Sequence, residues 1–234
     1  MLTFPYRNEQ LQMNLYALIV AGGSGSRMKS ELPKQFIELN GKPILLHTIE
    51  AFSQFDRDIK IILVLPESQI DFWNELILKH NIKINHEIVS GGANRFESVK
   101  NGLSTIDEDG MVAIHDGVRP MVSHKIISDG FRAASQYGSA IATVDLKDSI
   151  RQLSKEGSTT VNRANYKIVQ TPQTFDVSLI QKAYQQKQED SFTDDASVLE
   201  QGGGQIHLVE GDYSNIKITT PEDLIVAESL LSKR

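Results

Sequence analysis

Residues 16–27 read Tyr-Ala-Leu-Ile-Val-Ala-Gly-Gly-Ser-Gly-Ser-Arg, an apolar run that ends in a glycine-rich turn. An apolar run without polar alternation is typical of a strand that is buried on both faces of a parallel sheet. The glycines allow a ligand to approach the main chain closely, and successive N–H groups in such a turn can hold phosphate oxygens. The segment therefore predicts a buried first strand, followed by either an ordinary tight turn or an anion-binding loop.

Apolar runs and helical periods then alternate as far as residue 144. Strands are predicted at 59–65, 84–89, 111–115 and 139–144, and helices at 43–55, at 68–80, from Gly91-Gly92 to 103, and at 125–137. This alternation favours an α/β fold, with a Rossmann-like, mostly parallel sheet flanked by helices. Ligands of such sheets bind beyond the carboxyl ends of the strands, which is where the glycine turn would lie.

The alternation stops after Val144. Residues 148–153 and 159–161 alternate polar and apolar side chains around Gly157, which predicts a β-hairpin. We expect this excursion, about residues 146–171, to protrude as a β-arm whose face a partner subunit could bury. Helices at 177–188, 194–200 and 221–231 and a strand at 206–209 would complete a single domain over residues 14–234.

Composition limits the class of protein. The chain has 234 residues, 40% of them hydrophobic, which is enough for one α/β domain with a sizeable core. A net charge of -6 without a basic stripe argues against a nucleic-acid or anionic-membrane binder, and no apolar run is long enough to cross a bilayer. The absence of cysteine excludes disulfides and thiolate metal sites and favours a cytoplasmic protein. We expect residues 1–13 to be a disordered leader.

Two common phosphate-binding motifs do not fit the glycine turn. A dinucleotide fingerprint requires glycine three residues after Gly25, where this chain has Met28. A P-loop requires Gly-Lys followed by Ser or Thr, whereas Gly41-Lys42 is followed by Pro43. The sequence therefore disfavours an NAD-dependent dehydrogenase and a P-loop kinase or GTPase.

The stretch from Ala21 to Met28, continued by Leu32-Pro33-Lys34-Gln35-Phe36, resembles the signature of sugar-phosphate nucleotidyltransferases. Further segments are similar, in the same order, to motifs of one family, the 2-C-methyl-D-erythritol 4-phosphate cytidylyltransferases of the non-mevalonate isoprenoid pathway. These segments are residues 91–99, 115–120, 162–163, 170–175, 192–197 and 215–224. The resemblance covers nearly the whole chain from Asn14 onward.

The resemblance implies transfer of CMP from CTP to 2-C-methyl-D-erythritol 4-phosphate, with release of pyrophosphate and with Mg²⁺ accompanying the nucleotide. Both reactants are anions, and the attacking phosphate is already ionised near neutral pH. Catalysis would therefore consist of positioning and charge neutralisation, without a general base. The family's catalytic cations fall on Arg27, Lys34 and Lys217. The resemblance also implies a homodimer, in which the β-arm carries Arg163 into the neighbouring subunit's site.

The family's other site residues fall at defined positions of this chain. Nucleotide contacts are implied for Ala21, Gly22, Gly23, Gly25, Gly92, Ser98, Asp116 and Gly117. Contacts with the substrate phosphate or the polyol are implied for Arg163, Lys217, Asp116, Thr193, Arg119 and Ser149. Asp116 is also the candidate Mg²⁺ ligand, directly or through water.

Three positions depart from the family pattern. Gly22 stands where a second alanine is frequent, Ala93 where an acidic residue is frequent, and Asn162 where an aspartate is frequent.

Two alternative functions stay open. Ribitol-5-phosphate cytidylyltransferases share the glycine turn and the Pro-Lys-Gln-Phe string. A non-catalytic nucleotide-binding protein on the same scaffold would lack the site cations, which this chain retains.

Two further groups of polar residues have ordinary structural interpretations. His115 follows an apolar strand and is interpreted as a structural residue, because the six histidines show no clustered ligand spacing. Asp194 and Asp195 are interpreted as acidic residues of a helix's first turn, where the helix dipole favours negative charge, and not as a metal pair.

Overall fold

The computed structural model of the protein describes residues 13–23, 28 and 32–232. Most of the predicted leader, residues 1–12, and two predicted site residues, Gly25 and Arg27, therefore lie outside the described residues. In the part of the chain that is described, no helix is both long enough and apolar enough to cross a membrane.

The protein consists of eleven strands and seven α-helices within the described ranges. The strands are β1 Asn14–Val20, β2 Glu38–Leu39, β3 Lys42–Pro43, β4 Lys60–Leu65, β5 Glu87–Ser90, β6 Gly110–Asp116, β7 Ser139–Asp145, β8 Arg151–Ser154, β9 Gly157–Thr160, β10 Lys167–Asp176 and β11 Leu208–Glu210. The helices are α1 Ile44–Phe55, α2 Glu67–Lys79, α3 Arg95–Leu103, α4 His124–Tyr137, α5 Val177–Ala183, α6 Asp195–Gln201 and α7 Pro221–Leu231, with short 3-10 helices at Lys34–Phe36 and Arg163–Asn165.

A seven-stranded sheet forms the centre, in the order β11-β7-β10-β6-β1-β4-β5. Every neighbouring pair is parallel except the two that involve β10, which runs antiparallel to both β6 and β7. This arrangement confirms the predicted α/β fold with a mostly parallel sheet flanked by helices.

The strand β1 is buried on both faces, as its apolar run predicts. Ala17 and Ile19 belong to a core cluster with residues of α1, α2 and α4, whereas Leu18 belongs to a second cluster with residues of α3, α5 and α6. Alternate side chains of a strand point to opposite faces, so one short run supplies the centre of two layers. The sheet is thus held between helices on both sides.

The sequence patterns miss β10, because its residues 170–174 read Gln-Thr-Pro-Gln-Thr and are nevertheless buried. The register of β10 against β7 shifts between Val169 and Gln173, so Pro172 lies outside the regular ladder that its missing N–H would interrupt. Gln173 is satisfied inside the protein, since it donates to Asp194 Oδ2 and accepts from the Ala196 N–H. The strand is therefore stabilised by specific polar contacts, which no hydrophobic pattern reveals.

The predicted hairpin is present, as a separate two-stranded sheet in which β8 pairs antiparallel with β9. All residues of both strands are exposed, including Leu153, whose exposure is 80%. The predicted helix over 177–188 is wrong beyond Ala183. The chain ends the helix there in turns, in which the Gln185 N–H donates to the Lys182 carbonyl and the Gln186 N–H to the Ala183 carbonyl. The Gln186 side chain donates to the Val198 carbonyl of α6.

Candidate active site

A cavity of about 210 Å³ lies at the carboxyl ends of the parallel strands. It is lined by Val20, Ala21, Gly22, Gly23, Lys34, Gln35, Pro66, Gly91, Gly92, Ala93, Asn94, Arg95, Ser98, Asp116, Val118 and Lys217. The ladder pairs Val20 with both Val64 and Asp116, so the three central strands end at the same level. This is the edge at which open parallel sheets bind ligands.

A larger cavity of about 480 Å³ lies at the opposite edge of the sheet. Its lining mixes the cations Arg57 and Lys60 with acidic residues such as Asp107 and Glu108. Lys60 is already paired with Glu108, with 2.6 Å between Nζ and Oε2. This cavity has neither a glycine turn nor a concentration of positive charge, so the smaller one is the candidate site for an anionic ligand.

The glycine turn begins where Ala21 leaves the sheet. The Ala21 N–H donates to the Val64 carbonyl at 3.0 Å, and its carbonyl accepts from Gln35 Nε2 at 2.7 Å. Both polar groups of Ala21 are therefore used inside the protein. Of the described residues of this turn, Gly22 and Gly23 also line the cavity and can offer their backbone groups to a ligand.

The short helix Lys34–Phe36 places a cation against this turn. Phe36 is buried and stacks on Trp73, with 6.1 Å between the ring centroids. Lys34 is itself only 8% exposed. A side-chain carbon built on Gly23 would lie 3.4 Å from Lys34 Cε and 3.6 Å from Nζ, so the lysine stem and ammonium pack directly over the glycine.

The start of α3 forms the opposite wall of the cavity. The Gly92 N–H donates to Ser98 Oγ at 3.1 Å, and the Ser98 hydroxyl donates to the Asn94 carbonyl at 2.7 Å. A carbon added to Gly92 would lie 2.3 Å from Glu97 Cβ, so this close turn admits only glycine. The Ala93 N–H is capped by Glu97 Oε2 at 2.8 Å. The positive end of the helix dipole adds to the attraction of an anion here.

Asp116 ends β6 at the cavity and contacts two cations. Its Oδ2 lies 3.1 Å from Lys217 Nζ and 3.1 Å from Arg119 Nε. Burial opposes ionisation of the carboxyl, but the charges of Lys217 and Arg95 outweigh it and hold the pKa of Asp116 well below its ordinary value. The carboxylate is therefore ionised at neutral pH and orients the ammonium of Lys217, whose side chain is 41% exposed.

His115 is fully buried beside Asp116 and acts as a structural bridge. Its Nε2 must donate to the Arg119 carbonyl at 3.1 Å, because a carbonyl only accepts. Burial lowers the pKa of His115 to about 4, so the ring is neutral and Nδ1 accepts from the Thr171 hydroxyl at 3.0 Å. That hydroxyl in turn accepts the Asp116 N–H. Both ring nitrogens are thus used inside the protein, which agrees with the structural interpretation of this histidine.

Arg95 reaches the cavity from the first turn of α3 and is held by a buried carboxylate. Its two terminal nitrogens lie 2.7 and 2.6 Å from the two oxygens of Asp195, which is fully buried and also accepts from the Tyr184 hydroxyl at 2.6 Å. Asp194 caps α6 by accepting from the Ser197 N–H. The pair Asp194-Asp195 is therefore a helix start, as interpreted from the sequence, and Asp195 additionally binds Arg95.

The family model described as 2-C-methyl-D-erythritol 4-phosphate cytidylyltransferase matches residues 15–233. The chain belongs to this cytidylyltransferase family. A curated relative of the same name from Bacteroides fragilis is 54% identical, with 92% of this chain and 98% of the relative covered. One from Phocaeicola vulgatus is 49% identical, with 94% and 100% covered. The family predicted from the sequence is thus confirmed, and with it the enzyme class.

Solved structures of cytidylyltransferases share the fold. The 4-diphosphocytidyl-2C-methyl-D-erythritol synthase of Anaerococcus prevotii has a TM-score of 0.80 at 31% identity, covering 94% of this chain and 96% of that one. The 2-C-methyl-D-erythritol 4-phosphate cytidylyltransferase of Thermus thermophilus has a TM-score of 0.75 at 28% identity, covering 94% and 100%.

The structure brings many of the implied cytidylyltransferase residues to the cavity. Those that line it are Ala21, Gly22, Gly23, Lys34, Gly92, Ser98, Asp116 and Lys217. Gly117 does not line it, because its N–H donates to the Val20 carbonyl and its carbonyl accepts from Thr48. Arg119 does not line the cavity either. Its Nε donates to Asp116 Oδ2, and its Nη1 donates to the Asn215 carbonyl at 2.8 Å.

Three other implied residues lie elsewhere on this chain. Arg163 begins the 3-10 helix that follows the hairpin strands β8 and β9 within the arm, is exposed, and donates to the Lys147 carbonyl. Thr193 and Ser149 are also exposed and do not line the cavity. Sequence reasoning missed Gln35 and Arg95. Both lie within the quoted motifs. Their partners, Ala21 for Gln35 and Asp195 for Arg95, are 14 and 100 residues away, so no local sequence pattern predicts these contacts.

Proposed function

We propose that the chain transfers CMP from CTP to 2-C-methyl-D-erythritol 4-phosphate, giving 4-diphosphocytidyl-2-C-methyl-D-erythritol and pyrophosphate. The observation that carries this proposal is the cavity at the sheet edge. There the glycine turn, Lys34 and the Asp116–Lys217 pair meet in a chain of this cytidylyltransferase family. The triphosphate lies along Gly23 and Lys34, and the base lies between the Ala21–Gly22 peptide on one side and Gly92 and Ser98 on the other.

An oxygen of the acceptor phosphate attacks the α-phosphorus of CTP. The new O–P bond forms as the bond from the α-phosphorus to the bridging oxygen of pyrophosphate breaks. A phosphomonoester loses its second proton at about pH 6, so the nucleophile is ionised at neutral pH and no residue need remove a proton. Lys34 and Arg27 neutralise the charge that gathers on the pentavalent phosphorus and on the leaving pyrophosphate.

Lys217 positions the acceptor phosphate at this edge. Its ammonium is held by the ionised Asp116, so it is presented to the cavity in a fixed direction. Asp116 also offers a carboxylate to the polyol hydroxyls. Contacts of the substrate with Arg119, Thr193 and Ser149 stay predictions, as does the cytoplasmic location.

A divalent cation fits this site only when it is bound together with the nucleotide, whose phosphates also supply ligands. Among the described residues there is no cluster of three or more His, Cys, Asp or Glu side chains that could hold a metal. Mg²⁺ is commonly bound by one or two carboxylates together with substrate phosphates and water, and Asp116 can supply such a carboxylate, directly or through water. When bound, the ion would neutralise charge on the triphosphate oxygens.

We also propose that the enzyme works as a homodimer through its β-arm. Large apolar side chains are exposed along the arm, among them Leu153 at 80%, Tyr166 at 45% and Ile168 at 48%. A partner subunit would cover this surface and receive Arg163. The planar guanidinium of Arg163 can bind the acceptor phosphate through two parallel hydrogen bonds.

A panel of acceptors tests the proposed reaction. Pyrophosphate release is measured with CTP and either 2-C-methyl-D-erythritol 4-phosphate or ribitol 5-phosphate, with UTP as the nucleotide control. We expect a higher kcat/KM with the methylerythritol phosphate and with CTP. A higher kcat/KM with ribitol 5-phosphate would establish the alternative acceptor, and no turnover with either would favour a non-catalytic binding protein.

A further inference from the structure

Gln35 is a fully buried polar residue between the catalytic candidate Lys34 and the anchored Phe36. Its side chain links the backbone just after β1 to a side chain of α2. Nε2 donates to the Ala21 carbonyl at 2.7 Å and to Gln69 Oε1 at 2.6 Å. Within the described part of the chain, its Oε1 is buried and has no hydrogen-bond partner.

The Gln35 amide uses its nitrogen but not its oxygen, which indicates that this position requires a hydrogen-bond donor. The Ala21 carbonyl can only accept, so the amide nitrogen must face it and the orientation of the side chain is fixed. The donor half of the amide is used twice, while the acceptor half is left unpaired in a buried setting, which is costly. A residue retained for packing alone would not need a donor here.

The bond to Ala21 has a consequence for the next residue. The Ala21 carbonyl and the Gly22 N–H are opposite ends of one rigid trans peptide plane. When Gln35 holds the carbonyl, the N–H of Gly22 is directed away from Gln35. Gly22 lines the cavity, and the Ala21 N–H is already committed to Val64, so the direction of this peptide determines which backbone groups a nucleotide meets.

We propose that Gln35 is a positioning residue for nucleotide selection. It holds the Ala21–Gly22 peptide in one orientation, and Lys34, its neighbour in the chain, packs against Gly23. N3 of cytosine accepts a hydrogen bond, whereas N3 of uracil carries a proton. A Gly22 N–H that is held towards the base therefore favours cytosine, and a peptide that can rotate discriminates less well. This inference rests on the proposed binding of the nucleotide in the cavity.

Steady-state kinetics of Gln35→Met test this role, because methionine keeps the length of the side chain and removes both donors. We expect the KM for CTP to rise about tenfold, and the ratio of kcat/KM for CTP over UTP to fall about tenfold, as for loss of one positioning hydrogen bond. The KM for the acceptor phosphate should stay within about twofold. Gln69→Met is the matched control, since it removes the second acceptor and leaves the Gln35–Ala21 bond; its KM for CTP should not change.

Gln35→Glu provides a second test, the pH dependence of the KM for CTP, which should not change if Gln35 serves only in packing. Two acceptors facing the new carboxyl raise its pKa, and its protonated form can again donate to Ala21. The ratio of its KM for CTP to that of the wild type should therefore fall between about pH 8 and about pH 6, whereas the ratio for Gln35→Met stays constant.

Three outcomes would overturn the inference: an unchanged KM for CTP and unchanged selectivity in Gln35→Met, an equal defect in Gln69→Met, or a Gln35→Glu ratio that does not depend on pH. Lys34→Ala separates these outcomes from a failure of the proposed function. If Lys34→Ala loses turnover while Gln35→Met keeps its selectivity, only the role of Gln35 is wrong. If both variants behave like the wild type, the nucleotide does not bind in this cavity.

Discussion

The ammonium of Lys217 lies 3.1 Å from Oδ2 of Asp116, a carboxylate that is buried at the end of β6 and held ionised by the cations around it. A lysine in solution samples many rotamers, and this contact selects one that faces the cavity. The pair therefore places a positive charge at the cavity, where we propose that the acceptor phosphate is held, although the protein as a whole carries a charge of -6.

Replacing the Asp116 carboxylate by an amide should disturb the orientation of Lys217 while the protein still folds. Asp116→Asn keeps the size of the side chain but removes the charge that orients Lys217, so we expect kcat/KM for the acceptor phosphate to fall about 10²-fold. The matched control is Asp129→Asn, which removes a carboxylate that pairs with Lys125 and Arg132 on the surface of α4. The assay is pyrophosphate release; equal rates for both variants would show that the Asp116 charge has no catalytic effect.

Removing Arg95 should lower the free energy of unfolding more than removing Asp195, its partner in the ion pair. The Arg95 side chain is 33% exposed, whereas Asp195 is fully buried. Arg95→Met therefore leaves an unpaired buried carboxylate and should lower the free energy of unfolding by about 4 kcal/mol. Asp195→Asn leaves a guanidinium that can reach water, so its cost should be about 2 kcal/mol.

Urea unfolding measures both changes, with Arg132→Met as a surface control expected to cost less than about 0.5 kcal/mol. The opposite order, with Asp195→Asn more destabilised than Arg95→Met, would contradict the burial that distinguishes the two partners.

His115 should make stability depend on pH. Its pKa is about 4 in the folded protein and 6.5 in the ordinary, solvated state, so the unfolded chain takes up the proton first as the pH falls. The stabilising contribution is complete above about pH 6.5 and is lost progressively towards about pH 4. Between about pH 7 and about pH 4.5 the loss amounts to about 2 kcal/mol.

Wild type and His115→Gln are compared by urea unfolding at both pH values, because glutamine keeps a donor for the Arg119 carbonyl but does not titrate. The variant should lose about 2 kcal/mol less stability than the wild type over this interval. The same loss in both proteins would mean that His115 is not held neutral by burial.

The proposed dimer makes a specific prediction for mixed subunits. Lys34→Ala and Arg163→Ala should each be inactive or nearly so as homodimers. If Arg163 acts in the neighbouring subunit's site, each heterodimer contains one intact site, and an equal co-expressed mixture should recover about a quarter of the wild-type activity. A mixture that stays at the level of the two homodimers would show that Arg163 acts within its own subunit or has no role.

Much of the fold is predictable because its central strands are long apolar runs. β1, β4, β6 and β7 are buried on both faces, so each appears in the sequence as a mostly hydrophobic segment. β10 is not predictable in this way. Its burial depends on side-chain partners such as Asp194 for Gln173, and Pro172 in its middle argues against a strand.

The site is predictable only where its residues lie in recognisable motifs. Lys34, Asp116 and Lys217 follow from the family resemblance, and the fold brings all three to one cavity. The Gln35–Ala21 bond and the Arg95–Asp195 pair could not be foreseen, because they join segments that are adjacent only after the sheet has formed. Local periodicity contains no information about such contacts.

The central claim is that charge neutralisation at this cavity drives the reaction, and Lys34→Ala tests it most directly. The measurement is kcat at saturating CTP and acceptor phosphate, with thermal unfolding to show that the variant is folded. Lys42→Ala, which removes an exposed lysine paired with Glu50, is the control. The account predicts a fall in kcat of about 10² to 10³-fold for Lys34→Ala and none for Lys42→Ala. An unchanged kcat in a folded Lys34→Ala enzyme would contradict it.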